Sequence, residues 1–394
     1  MDNTRMISVI SLLLLLFFSS LKAASVEYNV IKLGAKSNGK TDSTKAFLKA
    51  WTSACNPVHS ATIHVPHGRY LLNNVVFNGQ DCKNSNITFR IEGTLVAPSN
   101  YNANGKSQDW IKFKNVDGVK IYGGTLDGRG TGLWTCKKSA SKGCPHGATS
   151  LKIGNSKNVV IQGLSSVNSQ MFHIVIHESE DVNLQGVNVT ASGNSPNTDG
   201  IHVEASKGVT ITDANIGTGD DCISIGPGTK NLWMERINCG PGHGISIGSL
   251  GKVFNEEGVQ NVTVKTVTFT GTQNGLRIKT WARPSNGFVR HVLFENATMI
   301  NAENPVIIDQ NYCPGLQHCP SQVSGVKISD VTYRSIQGSS ATEFAVKFDC
   351  STKKPCSRII LDKVHLTYEN KPARSSCASV DGSAYNEVQP SSCL

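Results

Sequence analysis

Charged side chains are scarce in this 394-residue chain, at 17%, and no polar low-complexity tract occurs. Intrinsic disorder is thereby excluded as the main state. Beyond the first two dozen residues no apolar run approaches the length of a membrane span. No CxxC spacing is present, so a zinc reading of the cysteines has no support. Helical periodicity is nearly absent from residue 110 onwards, which leaves strands as the main building element. Acidic groups are the minority, 29 against 38 basic ones, and the net charge of +9 points to an anionic partner.

What is present begins with a leader. Arg5 precedes the apolar run Ile7 to Phe18, and the small residues Ala23, Ala24 and Ser25 follow. That layout predicts a secretory signal peptide over residues 1–23 and a mature chain over 24–394. All twelve cysteines fall after the leader, and an even count in a secreted chain reads as disulfides. Cys313/Cys319, Cys350/Cys356 and Cys377/Cys393 are close enough in sequence to form local staples. Acceptor sequons for N-glycans occur at Asn86, Asn188, Asn261 and Asn296. For a secreted chain neither nucleic acid nor a membrane is the expected partner; an acidic extracellular polymer fits the charge better.

A short phrase recurs along the chain. It reads VKIYGG from Val119, VVIQGL from Val159, VNLQGV from Val182 and VTITDA from Val209. It continues as LWMERI from Leu232, VTVKTV from Val262, VLFENA from Val292, VKISDV from Val326 and IILDKV from Ile359. Between the copies lie further strand-like runs, including ISIG at both Ile223 and Ile245. Alternating apolar and polar residues mark strands with one buried face. Strand pairs recurring mostly every 22 to 34 residues, with Gly and Asn at the breaks, predict an all-β parallel β-helix in one domain. A propeller would need antiparallel hairpin signals, which are missing; a sandwich stays open on the strand pattern alone. The open N-terminal end of a solenoid needs a cover. Thr41, Asp42 or Ser43 would cap a short helix with Ala46, Phe47, Ala50 and Trp51 on one face, and that helix would serve. Cys377 and Cys393 would tie down a cover at the other end.

The repeat also acts as a ruler for the chemistry. Asp199, Asp221 and His243 are spaced 22 and 22 residues apart, each followed by a small residue or Cys and then by Ile. With one coil per 22 residues, the three side chains stack on neighbouring coils about 4.8 Å apart. The next coil brings Arg277 and Lys279, two positions apart and therefore on one strand face. Carboxylates so close together raise the pKa of at least one member, so one can stay protonated while another is ionised. Acid/base cleavage of a glycosidic bond needs that division. Arg277 and Lys279 would bind an acidic sugar, and His243 would hold the protonation state of the acid or bind a hydroxyl. Taken singly, Asp220 and Asp221 could be turn residues or half of a calcium site, and His243 a loop residue without a role. The common register of all four segments is what such readings leave unexplained.

The ordered set NTD at Asn197, DD at Asp220, GHG at Gly242 and RIK at Arg277 resembles the polygalacturonase family of pectin-degrading glycoside hydrolases, in particular plant enzymes and the pollen-type exopolygalacturonases. The likeness covers essentially the whole mature chain and implies a right-handed parallel β-helix. It implies Asp220 as the general acid, with Asp199 and Asp221 activating the water and His243 assisting. It further implies substrate contacts from Asn197, Arg277, Lys279 and Tyr312, a disulfide between Cys222 and Cys239, and no metal or other cofactor. The reaction implied is inverting hydrolysis of α-1,4-galacturonosidic bonds of homogalacturonan, exo-acting, by a monomer in the cell wall. Endo action is the alternative. A pectate lyase, a hydrolase of branched pectin and an inactive pectin-binding wall protein are the rivals; the intact DD pair, GHG and RIK argue against each in turn.

Overall fold

The computed structural model describes residues 25–139, 143–314 and 319–394. The leader expected over residues 1–23 lies outside them. The chain winds into a right-handed parallel β-helix with two hydrogen-bonded sheets, one of 18 strands and one of 11. Every strand pairing but one is parallel among the described residues. The exception is the short antiparallel pair formed by Lys371–Pro372 and the end of Cys356–Tyr368.

The alternating pattern dictates this packing. In the 11-stranded sheet, Ile174, Ile201, Ile223, Ile245, Leu276 and Val306 lie in one register column and are fully buried. Ile176, Val203, Ile225, Ile247, Ile278 and Ile308 form a second inward column two residues on. Burying one such side chain contributes about 1.5–3 kcal/mol, so stacked aliphatics fix the register of every coil. On the other sheet the column Val209, Leu232, Val262, Val292 runs through the recurring phrases. There the structure corrects one expectation. Val292 pairs with Val331, which in turn pairs with Ile359, so the copy of the phrase begins at Val331 rather than at Val326. Val326 and Ile328 belong to one apolar alternation and Val331 and Tyr333 to the next, the frame shifting by one residue at Asp330, whose φ is 58°.

The N-terminal cover is the helix Thr44–Cys55, which buries Ala46, Phe47, Ala50, Trp51 and Ala54. Asp42 caps it by accepting the Thr44 backbone N–H at 2.9 Å, whereas the Ser43 side chain makes no cap bond. Trp51 packs on Phe77, Phe89 and Phe113 at centroid distances of 5.5–6.1 Å. Cys55–Cys82 ties the helix end to the first coils. At the far end Cys377–Cys393 holds the tail against the last coil, where Leu394 packs against the core. The three local staples form as expected, and Cys136–Cys144 and Cys222–Cys239 complete the set, leaving no free cysteine. Helix Thr131–Lys138, with Leu133 and Trp134 buried, escaped the periodicity reading because its eight residues make only two turns. All four sequon asparagines are exposed.

Candidate active site

The register that stacks Ile201, Ile223 and Ile245 also stacks the residues two positions before them, Asp199, Asp221 and His243. The glycines between these residues and the strands have a steric reason. Gly244 has φ +86°, and a Cβ there would lie 2.0 Å from the Asn274 carbonyl oxygen. The turn carrying His243 thus approaches the next coil more closely than any side chain allows. Cys222 forms a disulfide with Cys239, which anchors the turn after the aspartate pair.

Asp221 is the deepest of the carboxylates, with 1% of its side chain exposed. Its Oδ1 accepts from Arg277 Nη2 at 2.7 Å and from Ser246 Oγ at 2.8 Å, and its Oδ2 accepts from Lys279 Nζ at 2.7 Å. Ser246 also accepts a 2.8 Å bond from Arg277 Nε. Burial by itself would push the Asp221 carboxyl up, but the charges of Lys279 and Arg277 and the bonds from Lys279 and Ser246 bring it down to about 2. Asp199 is also buried, 6% exposed, and behaves oppositely. Burial first, then the charges of Asp220 and Asp221, push its carboxyl well above the usual range, against a hydrogen bond with Ser224.

Asp220 sits nearer the surface. Its Oδ1 accepts the Asp221 backbone N–H at 2.8 Å and pairs with His243 Nδ1 at 3.1 Å. Asn197, in the left-handed region at φ 55°, directs its amide towards Asp220 Oδ2 at 3.5 Å. Tyr312 lies over Lys279, whose Nζ is 5.2 Å from the ring centroid, and Trp281 packs edge-on against the same ring at 5.4 Å.

The structure thus brings Asn197, Asp199, Asp220, Asp221, His243, Arg277, Lys279 and Tyr312 into one region. Two serines belong there that sequence reasoning left out. Ser224 and Ser246 occupy the outward column between paired inward isoleucines, in register with His202 and Arg277. The doubled ISIG was their signal, a hydroxyl at the same outward position on consecutive coils. Arg277 and Lys279 are more deeply engaged than expected, since both are ion-paired with Asp221. Asp220, Asp221 and His243 offer ligand atoms within 4.8 Å of one another. Both oxygens of Asp221 are already bound by internal cations, which leaves that trio a poor match for a metal.

A family model described as Glycosyl hydrolases family 28 matches residues 55–393. The chain belongs to this family. A polygalacturonase of Prunus persica is 60% identical over 394 residues, all of both chains. An exopolygalacturonase of Platanus acerifolia is 44% identical over 359 residues, 90% of this chain and 94% of its own. Among solved structures, the endo-xylogalacturonan hydrolase of Aspergillus tubingensis superposes with a TM-score of 0.80 at 24% identity, covering 92% of this chain and 99% of its own. That likeness establishes the shared fold. As a family 28 member the protein is a glycoside hydrolase, and of its three carboxylates Asp220 is the most exposed.

Proposed function

We propose that the protein hydrolyses α-1,4-galacturonosidic bonds of homogalacturonan with inversion, releasing galacturonate from the chain end. The observation that carries this reading is the association of three carboxylates with Arg277 and Lys279 in one column. An acid/base set and the cations for an anionic sugar share a single site. The relatives named as polygalacturonase and exopolygalacturonase support the same substrate class.

Asp220, the most accessible carboxyl, gives its proton to the glycosidic oxygen as the C1–O bond breaks. A water forms the new C1–O bond from the opposite face and passes a proton to the Asp199/Asp221 pair. Asp221 is the member that stays ionised at acid pH, because its two cations hold it so. Asp199 stands beside it and orients the water. His243 hydrogen-bonds the acid, and Asn197 and Tyr312 contact the sugars. Arg277 uses its Nε and Nη2 internally, and Lys279 one of three N–H bonds, so both retain donors for a galacturonate carboxylate. The protein acts as a secreted monomer in the cell wall, its leader removed.

A time course on polygalacturonic acid at about pH 5 tests this, with reducing ends, viscosity and product size followed together. Monogalacturonate appearing at nearly constant viscosity is the expected result. A rapid viscosity fall with mixed oligomers would keep the chemistry and reverse the exo assignment. No new reducing ends at any acidic pH would refute the reading.

A further inference from the structure

The 18-stranded sheet carries a cavity of its own, of about 550 Å³, on the C-terminal coils. Its floor is the outward face where the strands Phe288–Ala302, Lys327–Ser340 and Cys356–Tyr368 begin. Phe288 pairs in register with Lys327, and Arg290 with Ser329. Segment 285–287, Gly325 and Lys354 form the rim, joined to the floor by the Lys327 N–H to Gly287 carbonyl bond at 3.1 Å. None of the lining residues belongs to the 11-stranded sheet that carries Arg277 and Lys279, so the cavity lies outside the catalytic face.

Positive charge here goes unmatched. Among the described residues the cavity is lined by Arg290, Lys327, Lys354 and Arg358, with the His291 ring beside them, against the single carboxylate of Asp330. Asp330 is committed to Arg358, whose Nη2 lies 2.6 Å from its Oδ2, and this bonding holds its carboxyl down at about 2. Arg290 gives its Nε and Nη2 to the side-chain carbonyl of Gln260 at 2.9 and 2.6 Å, so a neutral amide holds it and no carboxylate offsets its charge. The Phe288 ring, with its centroid 4.6 Å away, supports the same guanidinium. The ammonium groups of Lys327 and Lys354, both exposed, make no ion pair or hydrogen bond among the described residues. Other cations of this sheet meet a carboxylate of a neighbouring coil, as Lys207 does with Glu180, Lys230 with Glu257 and Lys265 with Glu295. Four cations and one committed carboxylate leave three charges for a ligand, one of them on a guanidinium already held in place.

We propose that this cavity is a separate, non-catalytic polyanion site, in which Arg290, Lys327 and Lys354 receive the carboxylates of sugars in the interior of a polyuronate chain. The choice of polyuronate as the anion rests on the galacturonan-hydrolase reading; the site itself rests on the unmatched charge. Arg290 keeps its Nη1 donors in a fixed plane, which suits a planar carboxylate. An exo-acting enzyme works on chain ends, which are few beside the interior sugars of a polymer network. A site on another face that grips interior sugars holds the protein on that network and raises the effective concentration of ends at the catalytic column.

The test is depletion of the Asp220→Asn protein from solution by polygalacturonate immobilised on agarose, at low salt, with and without Lys327→Gln and Lys354→Gln together. A rise in Kd of about tenfold is expected from the loss of two exposed cations. With Asp220 present, the same two substitutions should leave kcat/KM on trigalacturonate unchanged. Lys45→Gln with Lys49→Gln, on the exposed side of the N-terminal helix, removes the same net charge and should not alter the Kd. Fully methyl-esterified polymer on the same support should bind all the proteins alike. An unchanged Kd, an equal loss in the helix variant, or an equal loss on the esterified polymer overturns the site. A parallel fall in kcat/KM on trigalacturonate also overturns it, because it would place the two lysines in the catalytic groove. With wild-type hydrolysis of trigalacturonate intact, an unchanged Kd removes this site alone. A tenfold effect on binding in a protein that shows no hydrolysis supports the site and removes the activity.

Discussion

Replacing Asp221 by Asn isolates the buried charge arrangement at the centre of the site. In the native protein two cations, 8–10% exposed at their side chains, meet one carboxylate that is 1% exposed. The depression of Asp221 from the ordinary 3.8 to about 2 corresponds to a preference for the charged form on the order of 2 kcal/mol. Asparagine removes that charge and leaves Arg277 and Lys279 facing each other in a poorly solvated pocket. Breaking a buried pair in this way costs about 3–5 kcal/mol. The sign with pH follows from linkage. A carboxyl depressed in the folded state contributes stability that is fully present above its ordinary value and is lost as the pH falls towards about 2. With Asp199→Asn in both proteins, so that the coupled carboxyl is silent, guanidinium unfolding with the disulfides intact should therefore give a constant gap between Asp221 and Asp221→Asn from pH 6 to about 4.5. Below pH 4 the gap should shrink, by up to about 1.4 kcal/mol per pH unit. Adding Lys279→Met to Asp221→Asn should recover part of the loss, because it removes one of the stranded cations. A gap under 1 kcal/mol at pH 6, or one that stays constant down to pH 2.5, would refute the account.

Asp199→Asn should behave in the opposite sense. The raised carboxyl makes the wild type lose stability as pH climbs from about 4, so the variant should gain on it in unfolding experiments towards pH 7, and a flat difference would contradict the assigned direction. Asp220→Asn should fold normally, with an unchanged circular dichroism spectrum, and lose turnover by about 10²–10⁴-fold, as expected for removal of a general acid. Ile223→Ala, in the inward column directly after the aspartate pair, should cost about 2–5 kcal/mol of stability in the same unfolding assay. Raising salt from 0.05 to about 0.5 M should increase KM for polygalacturonate through screening of the basic groove, and a KM independent of salt would count against that electrostatics.

The legible part of this protein is the part written with a period. Stacked coils require apolar residues at fixed inward positions and polar ones between them, so the β-helix, the column of Asp199, Asp221 and His243, and the arrival of Arg277 and Lys279 could all be inferred from spacing. Pairing within the period is harder. Val326 and Val331 both satisfy the alternating pattern, and only the backbone bonds to the coils on either side select Val331. Cys55–Cys82 joins segments with no shared pattern, so nothing in the string suggested it, whereas Cys136–Cys144, eight residues apart, was open to the closeness argument applied to Cys377 and Cys393 at sixteen. Helix Thr131–Lys138 belongs to a loop outside the repeat. At the site, the roles of Ser224 and Ser246 depend on which neighbouring coil each hydroxyl reaches, a property of the register and not of the residue type.

The internal pairing of Arg277 and Lys279 also bears on how an anionic polymer is handled. Free cations in a groove would attract a galacturonate carboxylate, but their long side chains would have to be ordered on binding, at a cost of about 0.5–1.5 kcal/mol each. Here Asp221 and Ser246 order Arg277 in advance, and Asp221 with the Tyr312 ring does the same for Lys279. Their remaining donors therefore point in fixed directions before substrate arrives. The same contacts keep Asp221 ionised at a pH where Asp199, one coil away, buried and without an ion pair among the described residues, favours the proton. Under the proposed mechanism, one pair of cations would set the charge of the base and also orient the substrate. This coupling explains why the cations sit two residues apart on a single strand. From that strand Arg277 and Lys279 reach both oxygens of one carboxylate, and a substitution at either position would disturb proton transfer and binding together.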